Sequence, residues 1–138
     1  MDVGRGLHHA APVKKVWALA IGWGLALILG AAWLQKYRPR DPLVARVLIS
    51  EVTHVSAHLA LYGVLTALVW LASSGRRVVV VGTLALVALL QEGAQSVLYG
   101  RTPGRGEAFD LCVDALSVAV VLTACRRFAH RSALHSAP

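Results

Sequence analysis

Four stretches of the chain run almost free of formal charge, with polar segments between them. The first covers residues 16–34, 19 positions without a charge. The second and third cover 52–72 and 78–98, 21 positions each, and the fourth covers 108–125. At a rise of about 1.5 Å per residue, runs of this length suit helices that cross a hydrocarbon core roughly 30 Å thick. Val78-Val-Val-Val81 has strand propensity, but an open strand in lipid leaves its backbone unpaired, so a helix is predicted there too. The pattern thus predicts helices over 16–34, 52–73, 78–98 and 108–125. Residues 35–51 hold Pro39 and Pro42 and leave room for a short interfacial helix over 42–50. Ser73-Ser74-Gly75-Arg76-Arg77 reads as a tight turn, and the Gly/Pro-rich stretch 100–107 as a loop. Short connections make successive helices antiparallel neighbours. The expected fold is all-α: a polytopic membrane protein of four antiparallel transmembrane helices. A polar segment over 1–15 precedes the membrane domain over 16–125, and a polar tail over 126–138 follows it. Gly30 and Ala32 offer a weak signal-peptide cleavage site, but the first run exceeds the usual h-region, so an uncleaved helix is expected. No internal repeat is visible.

Composition agrees with this pattern. Of the 138 residues 57% are hydrophobic and 15% charged, against about 25% charged in a typical soluble domain. That excludes an ordinary soluble enzyme, a disordered chain and a nucleic-acid-binding domain. Fourteen Lys and Arg against seven acids give a net charge of +7, which in a soluble protein would suggest a polyanion partner. Here the basic residues flank the apolar runs and set topology instead. With both termini inside, Arg5, Lys14, Lys15, Arg76, Arg77, Arg126, Arg127 and Arg131 are cytoplasmic. The other loops hold Lys36, Arg38, Arg40, Arg46, Arg101 and Arg105. Eight against six favours cytoplasmic termini in the cell membrane. Cys112 and Cys125 lie 13 residues apart in one run, about 20 Å along a helix and too far for a disulfide. They are expected to be small buried hydrophobes.

Ionisable groups in a membrane span are costly and mark functional sites. His54 and His58 fall in the first third of the second helix, Glu92 and Gln95 in the last third of the third, and Asp110 and Asp114 in the first third of the fourth. In any antiparallel arrangement all six share one leaflet, beneath Arg101 and Arg105. His54, His58 and Tyr62 are spaced i, i+4, i+8, with Glu51 one turn earlier. Glu92 and Gln95 are i, i+3, and Asp110, Asp114 and Ser117 are i, i+4, i+7. Each set makes one helix face. Three polar faces at one depth are expected to turn toward each other and form a polar pocket opening outward. Taken singly, the residues have blander readings. Gln91, Gln95, Ser96 and Ser117 suit interhelical hydrogen bonds, Asp110 suits a helix N-cap, and Glu92 suits a buried ion pair with Arg101 or Arg105.

The string His58-Leu-Ala-Leu-Tyr62, then Glu92-Gly-Ala-Gln95, then Gly100-Arg101-Thr-Pro103, then Asp110-Leu-Cys-Val-Asp114, resembles the VanZ-like membrane proteins. Their pattern is H-x-x-x-Y, E-x-x-Q, G-R and D-x-x-x-N/D followed by glycine. The resemblance covers roughly residues 50–122. It departs at His54-Val55, where the family often has Asp-Lys, in a longer step from Arg101 to Asp110, and at Ser117, where glycine is usual. Either Arg101 or Arg105 therefore matches the family's arginine. The resemblance implies a four-helix membrane protein whose pocket uses His58, Glu92, Gln95, Arg101 and Asp110, with Asp114 at the N/D position. The namesake's association with glycopeptide resistance is not carried to this chain.

The expected function is binding of an anionic cell-envelope ligand, a lipid-linked phosphate or a peptidoglycan fragment. The expected ligand-binding residues are His58, Tyr62, Glu92, Gln95, Arg101, Arg105, Asp110 and Asp114. The guanidinium groups would engage phosphate oxygens. One alternative is a metal-dependent hydrolase or transferase on an envelope lipid. In it His54 and His58, at a spacing that binds zinc, are completed by Glu92, or else by Glu51 or Asp110. A second alternative is an ion-coupled transporter with Glu92 or Asp114 as carrier, and a third is a structural partner in an assembly. No cofactor is expected outside the metal reading. Membrane lipids are the expected partners and nucleic acid is not, and the residues do not specify an oligomeric state.

Overall fold

The computed structural model describes residues 10–36, 46, 50–100 and 104–135. Among the described residues four helices make up the fold: α1 (Ala10–Lys36), α2 (Glu51–Ala72), α3 (Arg77–Tyr99) and α4 (Arg105–His135). The proposed interfacial helix over 42–50 falls almost wholly outside the described residues.

The helix ends follow capping chemistry more closely than the limits of the apolar runs. Ser50 caps α2: its hydroxyl accepts the Thr53 N–H at 3.2 Å. At the other end the Ser74 N–H donates to the Leu71 carbonyl and the Gly75 N–H to the Trp70 carbonyl, the paired bonds of a Schellman turn. Ser74 (φ 53°) takes the left-handed position that glycine usually fills, and Gly75 (φ 77°) follows it under the Trp70 ring. The helix α3 ends on Gly100, also left-handed at φ 59°, whose N–H returns to the Ser96 carbonyl. The start of α4 comes three residues before the predicted 108. Glu107 reaches back to the Gly104 N–H at 2.8 Å and satisfies a donor that the first turn leaves open. Asp110, expected as the cap, is thereby moved into the second turn of the helix. Two further ends also differ from expectation. The helix α1 begins at Ala10, ahead of Lys14 and Lys15, and α4 continues through Arg126 and Arg127 to His135. Charges mark where the hydrocarbon ends, while a helix can run on into the interface.

All four helices are long and apolar enough to cross a membrane: Val13–Gly30, Glu51–Ala72, Arg77–Leu98 and Arg105–Arg131. Only 17 to 28% of each span is buried inside the protein. The outer faces carry Leu19, Ile21, Leu25, Leu29, Val78, Leu86, Leu89, Leu116 and Val120, all exposed. In water such a continuous apolar surface would drive aggregation, while in a bilayer it is the solvated face. The protein is a multi-pass membrane protein of all-α fold.

The helix α2 lies at the centre of the bundle and packs most extensively on α4. It also touches α1 and α3, while among the described residues α1 and α4 do not pack on each other. The dry half of the core is built from Ala20 and Leu27 of α1, Leu65 and Val69 of α2, and Val80, Leu84 and Ala88 of α3. Polar contacts tie the helices at small residues. The Trp23 indole donates to the Leu61 carbonyl at 3.0 Å, and the Ser117 hydroxyl to the Leu59 carbonyl at 2.8 Å. Gly63 lies beside the second of these, where a Cβ would meet Ser117 Oγ and Val121 Cγ2 at 3.5 Å, ordinary contact distance, and a larger side chain would not fit. Cys112 and Cys125 are free, and neither is buried: Cys112 is exposed and Cys125 half-buried. This corrects the expectation of buried thiols.

Candidate functional site: a histidine–carboxylate ladder

The helices α2 and α4 are separated in sequence by one antiparallel helix and so run in the same direction. Two polar faces with a four-residue repeat then meet rung for rung at a constant offset. His54 Nε2 lies 2.9 Å from Asp110 Oδ1, and His58 Nδ1 lies 2.8 Å from Asp114 Oδ1. The two imidazoles stack along α2 with ring centroids 4.6 Å apart and a tilt of 48°. Below them Tyr62 lies nearly parallel to His58, with centroids 6.1 Å apart.

Burial increases down the ladder. The outer rung is open, with the His54 side chain 49% exposed and Asp110 19%. In the inner rung the exposures fall to 12% for His58 and 4% for Asp114. Tyr62 below is fully enclosed, and its hydroxyl donates to Gln91 Oε1 of α3 at 3.3 Å. Glu92, beside Gln91, is also buried, and His58, Asp110, Asp114 and Glu107 are the charged groups that act on it. Both Glu92 carboxylate oxygens and Asp114 Oδ2 are buried with no hydrogen-bond partner among the described residues. Buried polar atoms in folded proteins are nearly always paired, so three orphan oxygens in one place call for an explanation.

Most of the expected site residues come together in this region. His58, Tyr62, Asp110 and Asp114 join in the ladder, and Glu92 lies buried within electrostatic reach of it. Gln95 sits half-buried one turn beyond Glu92. Arg105 is the exposed first residue of α4, and Arg101 lies outside the described residues, as does its expected pairing with Glu92. Glu51, expected one turn above His54, is exposed at the start of α2. The hydrogen-bonding role expected of Gln91 and Ser117 holds, since each binds a group on α2. A metal-ligand grouping also forms, with Asp110 rather than Glu92 or Glu51 as its third member. One donor atom each from His54, His58 and Asp110 lies within 4.8 Å of the others, and Glu92 is not in the set. Glu92 is buried on α3 beside Gln91 and stands outside this donor set.

The opposite end of the bundle differs in kind. An open cleft of about 530 Å³ lies there between Trp70, Arg77, Arg126, Arg127 and His130. Among the described residues the ladder end is acidic and histidine-rich inside the span, and the cleft end is basic at the interface. Comparison of the chain with protein families, curated proteins and solved structures finds no match.

Proposed function

We propose that this is a VanZ-like protein of the cell membrane that binds the polar head group of a cell-envelope amphiphile at the ladder. One observation carries the reading: buried, unpartnered carboxylate oxygens on Glu92 and Asp114 inside a lipid-facing bundle. A carboxylate in a membrane span costs about 2.5–3.5 kcal/mol on insertion scales, and a chain keeps such a cost where the group is used. The graded opening past His54 and Asp110 gives a head group a way in from one leaflet. Sugar or amine groups suit the carboxylates, and a phosphate suits the Arg105 guanidinium at the rim and Arg101 in the loop. The ligand class that satisfies both is a lipid-linked sugar phosphate or a peptidoglycan-related fragment.

The basic cleft supports an orientation for this site. Arg76, Arg77, Arg126 and Arg127 gather at the end that also holds Lys14 and Lys15, which the positive-inside bias places in the cytoplasm with both termini. The ladder then faces the outer leaflet. Mass spectrometry of lipids that co-purify with the full chain in mild detergent tests the reading. The wild type is expected to carry one class of envelope lipid. The His58→Leu/Asp114→Leu protein, which loses the inner rung as a pair, is expected to carry only bulk phospholipid. Identical lipid profiles for the two would overturn the reading.

A further inference from the structure

We propose that His54, His58 and Asp110 bind a divalent transition-metal ion of the zinc class, with Asp114 as the positioning residue. Three independent features of the ladder lead there. The first is the donor set. Two imidazoles one helical turn apart on α2 and a carboxylate from α4 bring three ligand atoms within 4.8 Å of one another. Tetrahedral zinc, with bonds of about 2.0–2.2 Å, needs its donors roughly 3.3 Å apart. His54 Nε2 and Asp110 Oδ1 already stand at 2.9 Å, so a metal between them needs only a small opening of that contact. His54 is half-exposed and free to make the adjustment.

The second feature is the inner rung. A metal-bound histidine commonly passes its other ring nitrogen to a carboxylate, which fixes the tautomer and aims the ring. His58 Nδ1 is held by Asp114 at 2.8 Å, in a contact almost closed to its surroundings, and this leaves Nε2 for the metal. The third feature is charge. Asp110, Glu107 and Asp114 all act on the buried Glu92 across the site. Among the described residues no lysine or arginine lies within ion-pair distance of Glu92, Asp110 or Asp114. The buried oxygens of Glu92 and the free oxygen of Asp114 are what an added cation would offset. Three protein ligands leave a fourth position for water or a ligand oxygen, the arrangement of zinc sites that act on substrates. A phosphate held there would meet a cation in place of bare carboxylates. The metal site stands whether or not a head group binds beside it.

The test uses the full chain in mild detergent with Cys112→Ser and Cys125→Ser, so that thiols do not contribute. The metal-free protein is titrated with zinc against a chromophoric chelator, and bound metal is counted by elemental analysis after gel filtration. One equivalent is expected. His54→Ala and Asp110→Asn, both at the open rung, are expected to keep the helical circular dichroism spectrum and weaken zinc binding at least 100-fold. Asp114→Asn is expected to keep the stoichiometry and weaken binding 10- to 100-fold, as loss of an outer hydrogen bond does elsewhere. No bound equivalent, or equal affinity in the wild type and the His54→Ala protein, would overturn the proposal. Lipid profiles from the same samples separate the two readings. Zinc without a specific lipid removes only the head-group reading, and a specific lipid without zinc removes only the metal.

Discussion

The two rungs of the ladder share their chemistry and differ in depth, so the difference between them measures what burial does. Replacing His58 with Leu leaves Asp114, whose side chain is 4% exposed, with neither oxygen partnered. Stripping one member from a buried pair typically costs about 3–5 kcal/mol, because the remaining charge stays desolvated. Replacing both members with Leu removes that charge as well and is expected to recover much of the loss. Interhelical hydrogen bonds in membranes average only about 0.6 kcal/mol, with a maximum near 1.7. The inner rung should reach or exceed that upper value, so a coupling energy of about 1.5–3 kcal/mol is expected from a double-mutant cycle on His58 and Asp114. The outer rung, with His54 49% exposed, should couple by about 0.2–1 kcal/mol, as solvated pairs do. Reversible unfolding in mixed detergent micelles, followed by circular dichroism, gives both cycles in one set of conditions. Equal couplings, or an inner value at or below about 0.6 kcal/mol, would refute the argument that burial separates the rungs.

Other expectations follow from the packing. Gly63→Ala should be nearly neutral, since its Cβ meets Ser117 and Val121 at ordinary contact distance; Gly63→Leu should push α4 away and cost about 1–3 kcal/mol in the same unfolding assay. In the α2–α3 turn, Ser74→Gly should stabilise by up to about 1 kcal/mol by relieving a left-handed serine, whereas Gly75→Ala should destabilise, because its Cβ would stand 3.2 Å from the Trp70 ring. Reporter fusions at position 138 should be active only in the cytoplasm; an external C-terminus would turn the ladder to the inner leaflet.

Much of this arrangement is legible in the residues, for physical reasons. The four spans follow from the apolar runs because lipid admits no other use for stretches of that length. The i, i+4 spacing of His54 with His58 and of Asp110 with Asp114 defines one face on each helix, and a parallel pair preserves that spacing into matched rungs. The rung assignment itself is not legible. Nothing local says that Asp114 rather than Glu92 takes His58, because the offset between helices is set by turns and by close contacts such as Gly63 on Ser117. Glu107 hides in the same way: it reads as a loop acid until its bond to Gly104 shows that it starts α4. The cysteines mislead because an apolar run in lipid says nothing about which side faces inward.

The central claim is that the orphan carboxylate of Glu92 is kept for a ligand at the expense of stability. Glu92→Gln tests it most directly, since the change keeps shape and removes the charge. The account predicts a variant about 1 kcal/mol or more harder to unfold, given the roughly 2.5–3.5 kcal/mol cost of a charge in the span, that no longer retains the co-purified envelope lipid. A Glu92→Gln protein that unfolds more easily yet carries the lipid in full would contradict it, and would make Glu92 a structural partner.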